Sequence, residues 1–75
     1  MKLYYKVIFK ATRTLLSGAE KTETKVVFIP RYNASNRHVN VEMRVKIGTD
    51  ELKARHYYNI QYIETVTAND IIVDC

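Results

Sequence analysis

In "HVNVEMRVKI", residues 38–47, apolar and polar side chains alternate without a break. Val39, Val41, Met43, Val45 and Ile47 would fall on one face, and His38, Asn40, Glu42, Arg44 and Lys46 on the other. Successive side chains of a strand point to opposite faces, so the stretch reads as a half-buried β-strand. The N-terminal "KLYYKVIFKATRT", residues 2–14, has the same period. Leu3, Tyr5, Val7, Phe9 and Ala11 form its apolar face. Lys2, Tyr4, Lys6, Lys10 and Thr12 lie opposite, with Ile8 as the exception.

Between these two stretches, Val26 to Ile29 is a continuous apolar run, suited to a strand covered on both faces. Pro30 cannot donate a ladder hydrogen bond, so that strand ends, bulges or lies at an edge there. Lys25 and Pro30 bracket the segment as gatekeepers against aggregation. "GTDE" at 48–51 reads as a turn. Beyond it two readings stay open. Thr49 or Asp50 would cap a short helix at about 50–56. Alternatively, the alternation of Leu52, Ala54, His56, Tyr58, Ile60 and Tyr62 continues as a strand, with strand formers dense from Tyr57 to Thr67. "AND" at 68–70 suits a hairpin turn, after which "IIVDC" forms a short last strand.

The pattern predicts one small domain over residues 1–75, all-β or β-dominated α+β. Four to five antiparallel strands would form a small barrel or a strongly bent sheet, with one short helix if 50–56 coils. A chain this short hides only about 60% of its unfolded surface, which leaves little room for a deep catalytic cavity. Hydrophobic residues make up 47% and charged residues 27%, the balance of a folded domain rather than a disordered one.

Several classes of function are excluded or disfavoured. No apolar run approaches the roughly 20 residues of a membrane span, and Lys6 and Lys10 interrupt the N-terminal run that a signal peptide would need. With one cysteine, Cys75, no internal disulfide forms, and a cytoplasmic protein is expected. A nucleophilic cysteine needs a rigid setting beside a histidine, and Cys75 is the last residue. His38, His56 and Cys75 are too few and too far apart for a structural zinc site. His38 reads as a strand residue facing water, and His56 as a partly buried residue needing a hydrogen-bond partner. Glu64 falls on the supposed inner face, so the strand bulges there, ends there or brings it a basic partner. No glycine-rich phosphate loop is present. No enzyme, cofactor or metal is expected.

What remains is basic and aromatic. Residues 1–46 carry ten Lys and Arg against three Asp and Glu, whereas residues 47–75 carry two against five. There are six tyrosines and no tryptophan. A basic sheet with exposed rings can hold a nucleic-acid backbone while bases stack on the rings. On that reading Lys2, Lys6, Lys10, Arg31, Arg37, Arg44 and Lys46 contact phosphates. Tyr4, Tyr32 or Tyr57 stacks, and "PRYNASNRH", residues 30–38, is the contacting loop as well as a hairpin connection. The alternative is a small protein–protein interaction or inhibitor protein, in the style of those carried by phages and mobile elements, docking the same residues on an acidic protein surface. An exposed edge strand would also allow a homodimer.

Overall fold

A computed structural model describes residues 2–66 and 72–73, with side chains for residues 3–66. The chain runs β1 (Lys2–Thr14), β2 (Glu20–Pro30), α1 (Val41–Ala54), β3 (Tyr58–Val66) and β4 (Ile72–Val73). It is β-dominated, with one helix laid on a three-stranded antiparallel sheet of order β2-β1-β3. β4 also pairs with β1, through Lys2↔Val73 and Leu3↔Ile72. Among the described residues β2 and β3 do not pair, so the sheet stays open and no barrel closure is seen. The expected turn at 68–70 lies outside the described residues.

β1 and β2 form a long hairpin in unbroken register, from Tyr4↔Pro30 to Thr14↔Glu20. Its turn closes with Leu15 N–H donating to Ala19 O at 2.7 Å and Gly18 N–H to Leu15 O at 2.9 Å. Gly18 adopts φ +89°, a conformation side-chain-bearing residues resist. The alternation in β1 holds from Tyr5 to Ala11, but Leu3, expected on the apolar face, is exposed and Thr12, expected on the polar face, is buried. Tyr5, Val7, Phe9 and Ala11 are buried beneath the helix, joined by Val27 and Ile29 from β2 and by Val39 and Leu52.

The stretch 38–47 is the main correction. It is not a strand: residues 41–54 form α1, and Asn40 caps it, its side chain accepting from Met43 N–H at 2.9 Å. An Asn cap satisfies one of the orphan amides of a first turn, and Glu42 there suits the positive end of the helix dipole. The helix packs through Val45, Gly48 and Leu52, spaced i, i+3 and i+7. Val41, Met43 and Ile47, counted as core by alternation, are exposed. The expected turn at 48–51 lies inside α1, and the alternative helix at 50–56 is only its last turn. The helix ends at Ala54, and His56 leaves it with φ +70°. His56 is exposed rather than partly buried.

β3 matches the predicted strand closely but carries two register shifts against β1, between Ile8 and Phe9 and between Lys10 and Thr12. One extra β3 residue at each shift exchanges the faces. Asn59, at φ +50°, lies in the second. The first lets Tyr62 meet Phe9 edge-on at 5.9 Å on the helix side, while Glu64, opposite Ile8, turns to the uncovered face. Of the options for Glu64, the bulge is the one the chain uses.

Candidate functional site: a cationic loop end and an open sheet face

The loop from 31 to 40 joins β2 to α1, not two strands as the sequence suggests, and it folds back on itself over one isolated bridge. Tyr32 bridges His38, Val39 N–H donates to Arg31 O at 2.8 Å, and Asn33 N–H donates to Arg37 O at 2.8 Å. The Asn33 side chain accepts from the amides of Ser35 and Arg37 at 3.0 and 2.9 Å. Asn36 takes φ +62°, a left-handed conformation that asparagine tolerates better than most residues. The loop is therefore braced by its own backbone, and it leaves Tyr32, Arg37 and His38 exposed.

Beneath it, cations gather on one ring. The Arg44 guanidinium sits 4.2 Å from the Tyr5 ring centre and that of Arg31 5.5 Å from it. The Tyr5 hydroxyl and His38 Nε2 share a hydrogen bond, and His38 meets Tyr32 edge-on at 5.8 Å. Arg44 Nη1 donates to Val39 O at 2.7 Å, while its Nε is shielded from solvent and has no hydrogen-bond partner. Among the described residues, no carboxylate forms an ion pair with Arg37, His38 or Arg44.

Three carboxylates are engaged towards the other end of the domain, whereas Glu42, in the first turn of α1, and Glu64, opposite Ile8, form no ion pair among the described residues. Glu23 accepts from Arg13 at 3.1 Å and lies 3.5 Å from Lys21 and 3.8 Å from Lys25. Glu20 accepts from Tyr58 at 2.8 Å, and Glu51 pairs with Arg55 at 2.6 Å. The hydrogen bond from Arg13 is the largest influence on Glu23, holding its carboxyl below the usual range against an opposing effect of partial burial. A carboxylate so depressed contributes stability at neutral pH, and this is lost as pH falls through its lowered folded-state value. The stability difference between wild type and Glu23→Gln should thus be constant above about pH 5 and shrink on acidification below the ordinary carboxylate pKa of about 4.3. Urea midpoints at neutral and acid pH measure it. A gap that widens in acid would contradict the assignment.

The ten residues singled out by the sequence do not share one face. Tyr4, Lys6 and Lys10 lie on the side of the sheet away from the helix, as expected. The side chain of Lys2 lies outside those described. Arg31, Tyr32, Arg37 and Arg44 belong to the loop end. Arg44 and Lys46, expected on a strand's outer face, are on α1, where Lys46 borders a shallow groove with Val41, Glu42 and Val45. Tyr57 is also corrected. It packs against the core, lies under Lys25 at 5.2 Å and directs its hydroxyl to Glu23, so its ring is not free to stack.

Sequence reading missed Phe28. In a continuous apolar run it looked buried, yet its parity in β2 puts it on the uncovered face, 52% exposed and directly opposite Lys6. The signal was the strict β1–β2 register, which a two-residue face rule would have exposed once the helix was known to cover a single side.

No known family model matches this chain, and no curated protein or solved structure is detectably similar to it. Among the described residues, no helix is long and apolar enough to cross a membrane.

Proposed function

We propose that this domain is a non-enzymatic binding module that engages nucleic acid with its loop end and the adjoining open face of the sheet. The single observation carrying the reading is the segregation of charge. Arg37, His38 and Arg44 form no carboxylate ion pair among the described residues and have Glu42 of the first turn of α1 as the nearby acid in sequence, while Glu20, Glu23 and Glu51 are tied up at the far end. An anionic chain is the natural counterpart of such a surface. Arg31 and Arg44 are held by the Tyr5 ring, Tyr32 and Arg37 project from a braced loop, and Lys6 lies near the same end of β1.

The second reading, docking on an acidic protein surface, is favoured by one specific feature. Met43 and Ile47, four residues apart on α1, are exposed apolar groups that nucleic acid would not use. The two readings separate on salt. Fluorescent single- and double-stranded DNA and RNA are titrated at about 50 and about 200 mM salt. Micromolar or tighter binding that weakens steeply with salt is expected. No binding at the lower salt would remove the nucleic-acid reading and turn attention to the helix face.

A further inference from the structure

The face of the sheet away from α1, which no described element covers, has a definite layout. Across β2, β1 and β3 its rows read Phe28–Lys6–Val66, then Val26–Ile8–Glu64, then Thr24–Lys10–Gln61. Tyr4, beside Pro30, precedes the first row. Phe28 is more than half exposed. Thr12 and Thr22 join their hydroxyls across the strands at 2.9 Å beyond the last row, closing that end with neutral groups. Lys6 and Lys10 are four residues apart on the central strand, about 13 Å along it. Neither forms an ion pair with a described carboxylate.

We infer that the nucleic acid is single-stranded and runs along the β1–β2 side of this face, with a base stacked on Phe28 and its phosphates beside Lys6 and Lys10. The inference rests on the nucleic-acid reading above and adds strandedness, path and the stacking residue. A phenylalanine ring more than half exposed on a sheet is accessible to a base for stacking on its face. Only an unstacked base can meet that face, because in a duplex the base planes are covered by their neighbours. The charges agree with the path. Two lysines line the central strand, and Glu64, on the β3 side, repels an anionic chain toward β2. A second copy packed face to face fits less well, since it would have to bury Lys6, which interrupts the apolar row between Phe28 and Val66.

The test compares a single-stranded oligonucleotide with its own duplex, using wild type, Phe28→Leu, Phe28→Tyr and Glu64→Gln, each first checked for an unchanged thermal melt. Wild type should prefer the single strand. Phe28→Leu keeps apolar bulk but loses the ring, so it should weaken single-strand binding about 5- to 150-fold while leaving duplex binding unchanged. Phe28→Tyr should bind as wild type does, and Glu64→Gln somewhat tighter. Equal single-strand affinity of Phe28→Leu and wild type, or equal wild-type affinity for strand and duplex, would overturn this inference and leave the nucleic-acid reading standing. Absence of any binding by wild type would remove both. Sedimentation showing a wild-type dimer that Phe28→Leu dissociates would overturn it in favour of a second copy.

Discussion

Gly48→Leu should abolish cooperative folding of the domain, or nearly so. Gly48 is buried at the point where α1 crosses the sheet, and a Cβ there would fall well inside van der Waals contact of the Phe9 ring. That ring is fully buried and has Tyr62 edge-on beside it, so it has no free direction in which to retreat. An isobutyl group would lift the helix away from Phe9. Overpacking of a well-filled core costs about 1–3 kcal/mol, and here the displacement of Leu52 and Val45 from the sheet adds to it. A single core at this chain length supplies about 3–5 kcal/mol net. Gly48→Ala should also destabilise clearly, because its Cβ alone meets the Phe9 ring and about 1 kcal/mol of helix propensity offsets only part of that clash. Phe9→Ala alone leaves a cavity worth about 3–5 kcal/mol. The Gly48→Leu/Phe9→Ala double variant should be more stable than the sum of the single effects implies, since each change makes room for the other. Circular dichroism during urea unfolding measures all four. Strict additivity would mean that helix and sheet do not meet at these two residues.

The second large effect concerns binding. Lys6→Glu/Lys10→Glu/Arg37→Glu changes three residues outside the buried core and takes the formal net charge from +4 to −2. Stability should change little, because none of the three forms an ion pair among the described residues. Affinity for a single strand should fall by about a hundredfold or more at low salt. The slope of log affinity against log salt should become shallower by about 2, since each phosphate that is no longer neutralised removes about 0.7. Arg44 is unsuitable for this experiment, since its guanidinium packs on the buried Tyr5 ring and its removal would disturb the fold. An equal change at Lys21, Lys53 and Arg55, at the far end, gives up the Lys21–Glu23 and Arg55–Glu51 ion pairs and some stability, but below its own melting transition it should have a much smaller effect on affinity and on the salt slope. If the two triple variants bind equally weakly, charge alone and not the site governs binding.

Much of the sheet was legible in the sequence because one periodicity dominates each strand. From Tyr5 to Ala11 of β1 the odd residues are apolar and the even ones largely polar, and over that stretch the structure uses the same division, while exposed Leu3 and buried Thr12 depart from it at the ends. α1 was not legible from alternation, because residues 39–47 are apolar at every second position while the helix needs only every third or fourth. Val45, Gly48 and Leu52 satisfy the helical spacing, but Met43 and Ile47 add exposed apolar groups that imitate a strand. The informative features were local: Asn40 as a cap, Glu42 in the first turn and a glycine that makes sense only under close packing. Arg31, Tyr32 and Arg37 share one loop, as their closeness in sequence implies. The grouping of Tyr5, Arg44 and His38 was not legible, because their meeting depends on the helix returning over β1. Phe28 and Glu64 turned on face assignment, which the one-sided helix and the β3 bulge settle and which composition alone does not.

The most direct test of the central claim is an amide spectrum of the labelled protein titrated with a short single-stranded oligonucleotide. The loop end and the open sheet face should respond as one surface, with the largest shifts at Tyr4, Lys6, Phe28, Tyr32 and Arg37 and little change over residues 46–54 of α1. Shifts concentrated on the outer face of α1 around Met43 and Ile47, or no shifts at all, would contradict the account.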